Sequence, residues 1–496
     1  MNYFSRILML LTITPMAHAY QLPADPEKLL STMTLRQKIA QCIIVAAVSN
    51  EQYNKEFMAH TPYHMDTKHV EELIMREEVG GLLFLGGGLS TEQMHITQHF
   101  QQLSPHIPLL IALDAEWGLS MRLRDGIRFP RNMTLGAIDD NELIYQMALE
   151  IGRELAAIGV HINLAPVLDV NNNPNNPVIH DRSFGSNAEA VAQKGCAYIK
   201  GLHDAGIIDC VKHFPGHGDT DVDSHVALPV INHDVHRLHE IELLPFKEAI
   251  KHGTHAVMIG HINIPALDTS ANIPATLSRK ITTDLLRTQL GFDGLIITDG
   301  LGMSGVTLNS MPGAMEVHAL KAGADILLAP IDVYQTINAI VKAVRAGEIS
   351  EEEINQKVLR ILNAKAWAFS QQHTAPATKA DAIKLKKKLY CKAVTIAKDT
   401  LMSNRDTTAD VVLVITKMHK NKNKNYGIPQ EKIDEIRTLK ALGKTVTVIL
   451  YGSPYAVELV QDADRIIVAY EDDAAAQEAV QQILAGFVRA EGTLPI

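Results

Sequence analysis

Eight short β-rich segments run through residues 41–330, and each precedes a stretch with helical periodicity. Several are continuous apolar runs, such as Leu82-Leu83-Phe84-Leu85, which suit strands buried on both faces of a parallel sheet. Segments such as 142–158 and 234–252 repeat apolar residues at helical spacing. The eight β-rich segments are residues 41–48, 80–86, 108–114, 161–169, 207–213, 255–261, 294–299 and 325–330.

Eight β/α units in this length predict an α/β fold of the TIM (β/α)8 barrel type. A doubly wound open sheet is the structural alternative. No G-x-G-x-x-G turn follows the first segment, so a dinucleotide-binding version of that alternative is disfavoured.

A smaller α/β unit follows the predicted barrel. Residues 371–380 (QQHTAPATKA) are polar and include Ala-Pro, as is typical of a linker. Beyond them, residues 410–416, 445–451 and 465–470 resemble parallel strands separated by helical stretches near 431–442, 454–461 and 473–484. The sequence therefore predicts a barrel domain over residues 20–370, a linker over 371–390 and an α/β sandwich domain over 391–496.

The first nineteen residues have the pattern of a secretory signal peptide. Arg6 provides a positive charge, residues 7–16 form a short apolar stretch, and Ala17-His18-Ala19 fits a small-x-small cleavage site. The apolar stretch is too short to span a membrane, and no later run reaches 18 apolar residues. We expect cleavage after Ala19 and export, to the periplasm in a Gram-negative cell or to the medium.

The composition excludes several architectures and gives no support to nucleic-acid binding. Hydrophobic residues make up 46% and charged residues 21%, which excludes a disordered, collagenous or coiled-coil architecture. The formal charge of −10 gives nucleic-acid binding no electrostatic support. The four cysteines form no C-x-x-C pair, and we expect them to be buried free thiols.

Ionisable groups stand at the ends of five predicted strands. Because the active site of a TIM barrel lies at the carboxyl ends of its strands, these groups are expected to converge on one mouth. Asp169 is interpreted as structural. The groups are Asp114, Asp169, Lys212 with His213, His261 and Asp299.

The most unusual segment is residues 212–225, with the sequence KHFPGHGDTDVDSH. It holds three histidines and three aspartates, and its proline and glycines favour a loop over a helix. The run DTDVD imitates the start of a calcium-binding loop. Such a loop needs Gly at its sixth position and Glu at its twelfth, where this chain has Ser224 and Val230. Calcium binding is therefore disfavoured.

Three other roles remain open for the histidines. A transition-metal site of the barrel hydrolase type could use several of them with Asp299, although no H-x-H pair follows the first predicted strand. A proton-transfer pair could join Asp223 to His225, because residues i and i+2 of an extended segment face the same side. The carboxylate would then favour the protonated imidazole near neutral pH. A structural loop histidine is the third possibility.

Asp299 ends the seventh predicted strand. A carboxylate at the barrel mouth can attack an anomeric carbon and form a glycosyl-enzyme intermediate. Its structural alternative is a cap for the next helix.

Four motifs give the chain a resemblance to family 3 glycoside hydrolases, in particular the β-N-acetylglucosaminidase branch. The resemblance covers roughly residues 25–370 and extends more weakly over the C-terminal domain. The motifs are KHFPGHGDTDVDSH (212–225), LAPVLDVNNNPNNPVIHDRSFG (164–185), ALDAEWGLSMRL (112–123) and FDGLIITDGLGMSG (292–305).

The resemblance implies a retaining exo-glycosidase that removes terminal non-reducing β-N-acetylglucosamine from peptidoglycan fragments or chitooligosaccharides. It implies no cofactor and no metal. Asp299 matches the family's nucleophile, His225 its acid/base and Asp223 the partner of that histidine. The residues that match sugar-binding positions are Asp114, Arg122, Arg182, Lys212 and His213. From residue chemistry alone, Arg182 could instead brace its loop through an ion pair.

Two departures from the family pattern bear on substrate choice. The usual D-x-E-G-G-R is Asp114-Ala115-Glu116-Trp117-Gly118-Leu119 here, which suggests ring stacking by Trp117 on a sugar face. The usual Asp-Asp-Leu-Ser-Met is Asp299-Gly300-Leu301-Gly302-Met303, so the nucleophile is kept but its neighbour is not. The predicted export is a third difference, because peptidoglycan-recycling members of this branch are typically cytoplasmic.

Other activities compete with this interpretation. Within the family these are a β-glucosidase and an N-acetylglucosamine phosphorylase, the latter because a neutral histidine base repels phosphate less than a carboxylate does. From other classes, a metal-dependent amidohydrolase predicts loss of activity with a chelator, and a non-catalytic wall-binding protein predicts binding without cleavage.

Overall fold

Eight parallel strands form a barrel around which the helices of the first domain pack. The computed structural model describes residues 25–222, 227–270, 272–303, 313–401, 410–420 and 422–496. The strands are ordered β7-β6-β5-β4-β3-β2-β1-β8, and a parallel bridge between Ile297 and Ile326 joins the two ends of this sheet. They are β1 Ile43–Val48, β2 Gly81–Gly86, β3 Leu110–Leu113, β4 Ile162–Asn163, β5 Ile208–Phe214, β6 Ala256–Ile259, β7 Leu295–Thr298 and β8 Leu327–Leu328.

The barrel prediction is confirmed, and the open-sheet alternative is wrong. Each of the eight predicted segments contains a strand, although β4 is much shorter than its segment. The pairing of β4 with β5 ends at Asn163 and resumes as a single bridge between Val167 and Lys212. Pro166, between the two, has no N–H to donate to a neighbouring strand. Most strand residues are apolar because the core fills the barrel and the helices cover its outside, although β5 also carries Asp209, Lys212 and His213.

Most helices of this domain lie between successive strands, and several begin at polar caps. Asn187 accepts a hydrogen bond from the backbone of Ala190, and Ser350 forms a capping box with Glu353. The helix predicted over 234–252 is two helices, the second of which has Pro245 in its first turn. The helices are Pro26–Thr32, Leu35–Gln41, Lys55–Ala59, Thr67–Glu72, Ser90–Leu103, Asn132–Gly136, Asn141–Ala157, Ala188–Asp204, Val235–Glu240, Leu244–Lys251, Lys280–Gln289, Ala314–Ala322, Val333–Arg345 and Glu351–Ser370.

The C-terminal domain is a four-stranded sheet with helices, in the order β10-β11-β12-β9. The three predicted parallel strands are present as β10 Val411–Ile415, β11 Val446–Leu450 and β12 Arg465–Val468. Strand β9, Thr395–Asp399, pairs antiparallel with β12 and has no counterpart among the predicted strands. The helices of this domain are Lys379–Ala393, Gln430–Ala441 and Ala474–Leu484, the first of which begins within the stretch predicted as a linker.

The two domains share a polar contact at Glu471. Its carboxylate accepts hydrogen bonds from the Arg128 guanidinium at 2.9 Å, the Arg131 backbone at 2.8 Å and the Thr134 hydroxyl at 2.7 Å. Glu471 is buried, so this contact fixes the second domain beside the carboxyl end of the barrel.

Two further predictions concern the whole chain. Across the described ranges, no helix has both the length and the apolar character that crossing a bilayer requires. All four cysteines are free; Cys42 and Cys210 are buried, whereas Cys196 and Cys391 are only partly so.

Candidate active site

A cavity of about 470 Å³ opens at the carboxyl ends of the barrel strands. The predicted convergence is therefore observed, except that Asp169 and His261 lie behind the wall of the cavity. Asp223 and His225 lie outside the described residues. The predicted site residues that line the cavity are Asp114, Arg122, Arg182, Lys212, His213 and Asp299.

A buried network of charges forms one wall of this cavity. Lys212, 2% exposed, lies 2.8 Å from a carboxylate oxygen of Asp114 and 3.0 Å from one of Glu116. Arg182 lies 2.6 Å from the same oxygen of Glu116, and Arg122 pairs with Asp114. Three cations thus face two carboxylates, which leaves this wall with one net positive charge.

The network keeps its members charged at neutral pH. Burial raises the pKa of Glu116, but Arg182 and Lys212 outweigh burial and lower this pKa to about 2. Asp114 behaves alike: burial opposes ionisation, and Lys212 and Arg122 bring its pKa well below the usual range. The pKa of Lys212 is raised because the two carboxylates outweigh its desolvation. The wall therefore offers charged donors and acceptors in fixed positions.

Asp299 lies across the cavity, directly after β7. The backbone N–H of Gly300 donates to its carboxylate at 2.7 Å. Burial raises the pKa of Asp299, but His213 and His261, together with smaller contributions from the Gly300 N–H and Lys212, lower it below its usual value. From residue types alone, nearby arginines and a lysine are expected to lower the pKa of Asp299 and so keep it ionised. The pKa of Asp299 is indeed lowered, but His213 and His261 contribute more to this than Lys212 does.

Asp169 fixes the residues beside Asp299. It is fully buried, and its carboxylate bonds the Nδ1 atom of His213 at 2.7 Å and the backbone N–H of His217 at 2.7 Å. Since Nδ1 is held in this way, the His213 ring has only its Nε2 edge left for the cavity it lines. This geometry agrees with a structural role for Asp169.

The base of the loop that carries Asp223 and His225 is held tightly. The amide of Asn176 donates to the carbonyls of His217 and Gly218 at 2.8 and 3.0 Å. A Cβ atom on Gly218 would lie 1.8 Å from the carbonyl oxygen of Val170, so only glycine fits there. The described start of this loop is therefore fixed beside the cavity, which His217 lines.

The match to protein-family models covers most of the barrel. Residues 34–364 match the glycosyl hydrolase family 3 N-terminal domain. The chain belongs to glycosyl hydrolase family 3. The solved family 3 β-N-acetylglucosaminidase of Paenibacillus sp. is 30% identical, with a TM-score of 0.77 over 93% of this chain and 98% of that one.

Curated family 3 relatives are similar over the barrel. β-Hexosaminidase A of Pseudoalteromonas piscicida is 36% identical over 326 residues, which are 60% of this chain and 54% of that protein. β-Hexosaminidase LpqI of Mycobacterium tuberculosis is 30% identical over 358 residues, which are 69% of this chain and 85% of that protein. The chain spans about half the length of the first curated relatives it matches, at 54% and 55%.

Several members of this family 3 site have roles that the sequence does not reveal. Glu116 stands in one of the four motifs without a predicted role, yet it holds both Arg182 and Lys212. Arg182 lines the cavity, as expected of a sugar-binding residue, and it also forms an ion pair with Glu116, as expected of a residue that braces its loop. Trp117 lines the cavity, and the Arg131 guanidinium stacks 4.2 Å from its ring centre, so one ring face is already covered.

The C-terminal domain also reaches the cavity. Lys420, on a segment whose polar composition predicts a solvated loop, lines the cavity and lies 2.5 Å from a carboxylate oxygen of Asp181. The other oxygen of Asp181 is 2.7 Å from Arg131. No local sequence pattern points to Lys420, because its position depends on how the two domains pack.

Two clusters of possible metal ligands occur among the described residues, and neither contains Asp299. One, His203 with Asp209 and His255, lies at the opposite end of the barrel, where β5 and β6 begin. The other, Asp219 with His233 and Glu242, lies beside the loop base. The amidohydrolase alternative, which depends on Asp299, gains no support from either cluster.

We predict that Glu116→Gln lowers the free energy of unfolding by about 1–3 kcal/mol at neutral pH, because the substitution removes a charged hydrogen-bond acceptor from buried cations. The difference from the wild type should shrink in acid. The pKa of Glu116 falls from 4.5 in the unfolded reference to about 2 when folded. The stability that ionised Glu116 confers is therefore present above pH 4.5 and lost as the pH falls towards 2.

Urea unfolding at pH 6 and pH 3 measures this difference. Glu435→Gln is the matched control, because Glu435 is partly exposed and pairs with Lys432 at the surface. The control should change stability little at either pH. An equal effect of Glu116→Gln at both pH values would contradict the prediction.

Proposed function

We propose that this protein is a retaining exo-glycosidase that hydrolyses terminal non-reducing β-N-acetylglucosamine. The observation that carries the proposal is the ionised Asp299 facing a wall of fixed charges in a cavity large enough for a sugar ring. Family 3 membership and relatives named β-hexosaminidase and β-N-acetylglucosaminidase support it.

The proposed reaction has two steps. The Asp299 carboxylate attacks the anomeric carbon while the glycosidic oxygen leaves with a proton from His225. A water molecule then attacks the same carbon, His225 takes its proton, and the bond to Asp299 breaks. Asp223 orients the imidazole of His225 through one ring nitrogen. The rigid base of the loop supports this proposal, because its residue His217 lines the same cavity as Asp299.

The charged wall suits the hydroxyl groups of a sugar. A hydrogen bond to a charged partner contributes about 1.5–3 kcal/mol, and a neutral sugar needs no counter-charge. We assign this role to Asp114, Arg122, Arg182, Lys212 and His213. Their fixed geometry means that little reorganisation is needed when the sugar binds.

The natural substrates we propose are peptidoglycan fragments or chitooligosaccharides. We also propose that the protein is exported, to the periplasm or the medium. The support is the signal-peptide pattern of residues 1–19, which lie outside the described residues. Fractionation of the producing cells and N-terminal sequencing of the mature protein would test cleavage after Ala19.

Matched chromogenic β-N-acetylglucosaminide and β-glucoside substrates test the activity. We expect kcat/KM to be at least about tenfold higher for the acetamido sugar, since specific polar contacts favour one substrate by this order or more. The product should be free N-acetylglucosamine of retained configuration. Activity only on the glucoside would favour the β-glucosidase alternative. A sugar phosphate formed in phosphate buffer would favour the phosphorylase, and release from neither substrate between pH 5 and 8 would contradict the proposal.

A further inference from the structure

Three metal-ligating side chains meet at the amino end of the barrel, opposite the cavity. His203 stands at the end of the helix Ala188–Asp204, Asp209 lies in β5, and His255 directly precedes β6. The Nε2 atom of His203 lies 2.7 Å from the Oδ1 atom of Asp209, and the Nδ1 atom of His255 lies 3.2 Å from the same oxygen. The three ligand atoms all lie within 4.8 Å of one another. We call these three residues the amino-end cluster.

Asp209 carries a buried negative charge that no lysine or arginine neutralises in the part of the chain that the structure describes. The residue is fully buried, and the ion pairs that it forms there are with His203 and His255. Burial raises the pKa of Asp209, but the hydrogen bonds and charges of the two histidines bring it well below its usual range. The carboxylate is therefore ionised in a place where a bound cation would offset the cost of its burial.

The donor set is typical of zinc and similar divalent transition metals. Zn²⁺ binds imidazole nitrogens and carboxylate oxygens at about 2.1 Å in a tetrahedral arrangement, which separates neighbouring ligand atoms by about 3.3 Å. The observed separations of 2.7 and 3.2 Å are close to this value, so small rotations of the side chains open the space for an ion. Mg²⁺ and Ca²⁺ prefer sets of oxygen ligands, which two imidazoles do not supply.

The surroundings of the amino-end cluster suit a bound ion. The Thr254 hydroxyl donates to the second oxygen of Asp209 and so orients the carboxylate. The ring centre of Trp367 lies 4.2 Å from that of His255, so an apolar side chain packs against the cluster. The side chains of His203 and His255 are 23% and 27% exposed, which leaves a path from solvent and a place for water as a further ligand.

The second cluster of possible ligands already contains a positive charge. The guanidinium of Arg237 lies 3.6 Å from the carboxylate of Asp219 and 3.1 Å from that of Glu242. It supplies the charge that a metal ion would bring and would repel that ion. Within the described ranges, the amino-end cluster has no such competitor.

We propose that His203, Asp209 and His255 bind one divalent transition-metal ion of the zinc type. Because an ionised carboxylate only accepts hydrogen bonds, the ring nitrogens that face Asp209 carry hydrogens when no ion is bound. The ion takes their place, and each neutral imidazole then carries its hydrogen on its other nitrogen. The ion joins the end of one helix to the starts of β5 and β6, so its binding stabilises the folded barrel. This inference is independent of the proposed glycosidase activity.

Titration of the chelator-treated protein with zinc tests the site. By calorimetry the wild type should bind one Zn²⁺ with a Kd below about 0.1 mM. Its Tm should rise by about 3 °C or more when free zinc exceeds the Kd a hundredfold, whereas Mg²⁺ at the same concentration should leave the Tm unchanged. The absence of saturable zinc binding below about 0.1 mM would overturn the inference.

His203→Gln and His255→Gln distinguish a metal site from a hydrogen-bonded triad. Glutamine can still donate to Asp209, but its amide is a poor zinc ligand, so each variant should bind zinc at least about 100-fold more weakly. His252→Gln is the matched control, because it removes an exposed histidine shortly before His255 and should bind zinc like the wild type. Unchanged binding in both cluster variants, or loss of binding in His233→Gln of the second cluster, would contradict the assignment.

Cobalt gives a readout that needs no variant. Co²⁺ held by two imidazoles and a carboxylate in a four-coordinate site absorbs visible light strongly, whereas six-coordinate Co²⁺ on surface oxygens is pale. One equivalent of Co²⁺ should therefore colour the wild-type protein, and one equivalent of zinc should remove the colour. A pale spectrum at saturation would overturn the inference even if neither glutamine variant folds.

Discussion

Asp299→Ala is expected to lower turnover of a chromogenic β-N-acetylglucosaminide by at least about 10³-fold, as loss of an essential nucleophile does in other enzymes. The variant keeps the charged wall and His213, so it should still bind the sugar. What it lacks is the carboxylate that attacks the anomeric carbon. Steady-state kinetics with the purified variant measure the loss, and thermal unfolding checks that the fold is intact.

Azide distinguishes a nucleophile from a structural carboxylate. In Asp299→Ala the missing side chain leaves space beside the anomeric carbon, where azide can attack as the aglycone departs. With an activated leaving group, azide should restore release of the chromophore and give the α-glycosyl azide, because a single displacement inverts the configuration. Formation of the β-azide would contradict the assignment. So would a variant that azide does not rescue and that keeps more than a tenth of the wild-type activity.

Asp293→Ala is the matched control for this experiment. Asp293 is exposed and precedes β7, whereas Asp299 follows it, so the two aspartates stand at opposite ends of one strand. The control should retain full activity and show no response to azide. A large loss in the control would mean that disturbance of β7, rather than loss of the carboxylate, explains the effect.

The barrel could be predicted because strands that are buried on both faces of a sheet are visible in the sequence as continuous runs of apolar residues. Runs such as Leu82 to Leu85 allow almost no polar residue, and their number fixes the architecture. Strand β9 has no such run of apolar residues. Its residues, Thr395–Asp399, include a lysine and an aspartate and are mostly half-buried, since the strand lies at the edge of its sheet.

The site was predictable where strand geometry alone determines position. Asp114 and Asp299 follow β3 and β7, and Lys212 lies near the carboxyl end of β5, so their convergence follows from the fold class. Lys420 could not be predicted, because it comes from a segment whose path depends on packing between distant parts of the chain. The groups that keep Asp299 ionised could not be predicted for the same reason: the arginines pair with Asp114 and Glu116 instead.

Lys212→Met should destabilise the fold more than Glu116→Gln does. Lys212 lies between Asp114 and Glu116, and all three are buried. Methionine fills similar space but leaves two buried carboxylates facing each other with fewer cations. Removing one partner of a buried ion pair generally costs about 3–5 kcal/mol. Sugar binding should weaken as well, because the cavity loses a charged donor and its wall becomes net neutral.

The pH dependence identifies the cause of that loss. In the wild type the pKa values of Asp114 and Glu116 are lower in the folded protein than in the unfolded chain. The stability that the two carboxylates confer is therefore present when the pH is above their pKa values in the unfolded chain, and it is lost in acid. In Lys212→Met their pKa values should rise, and protonation then relieves the repulsion. Both effects reduce the difference in unfolding free energy between variant and wild type as the pH falls from 7 towards 4.

Urea unfolding at pH 7 and pH 4 tests this expectation, with Lys251→Met as the control because Lys251 forms only an exposed pair with Glu248. Adding Glu116→Gln to Lys212→Met should cost less than the sum of the single effects, since the second substitution removes one of the carboxylates that the first leaves unpaired. A penalty below about 1 kcal/mol, or one that is equal at both pH values, would mean that the charges of this wall are solvated rather than held by one another.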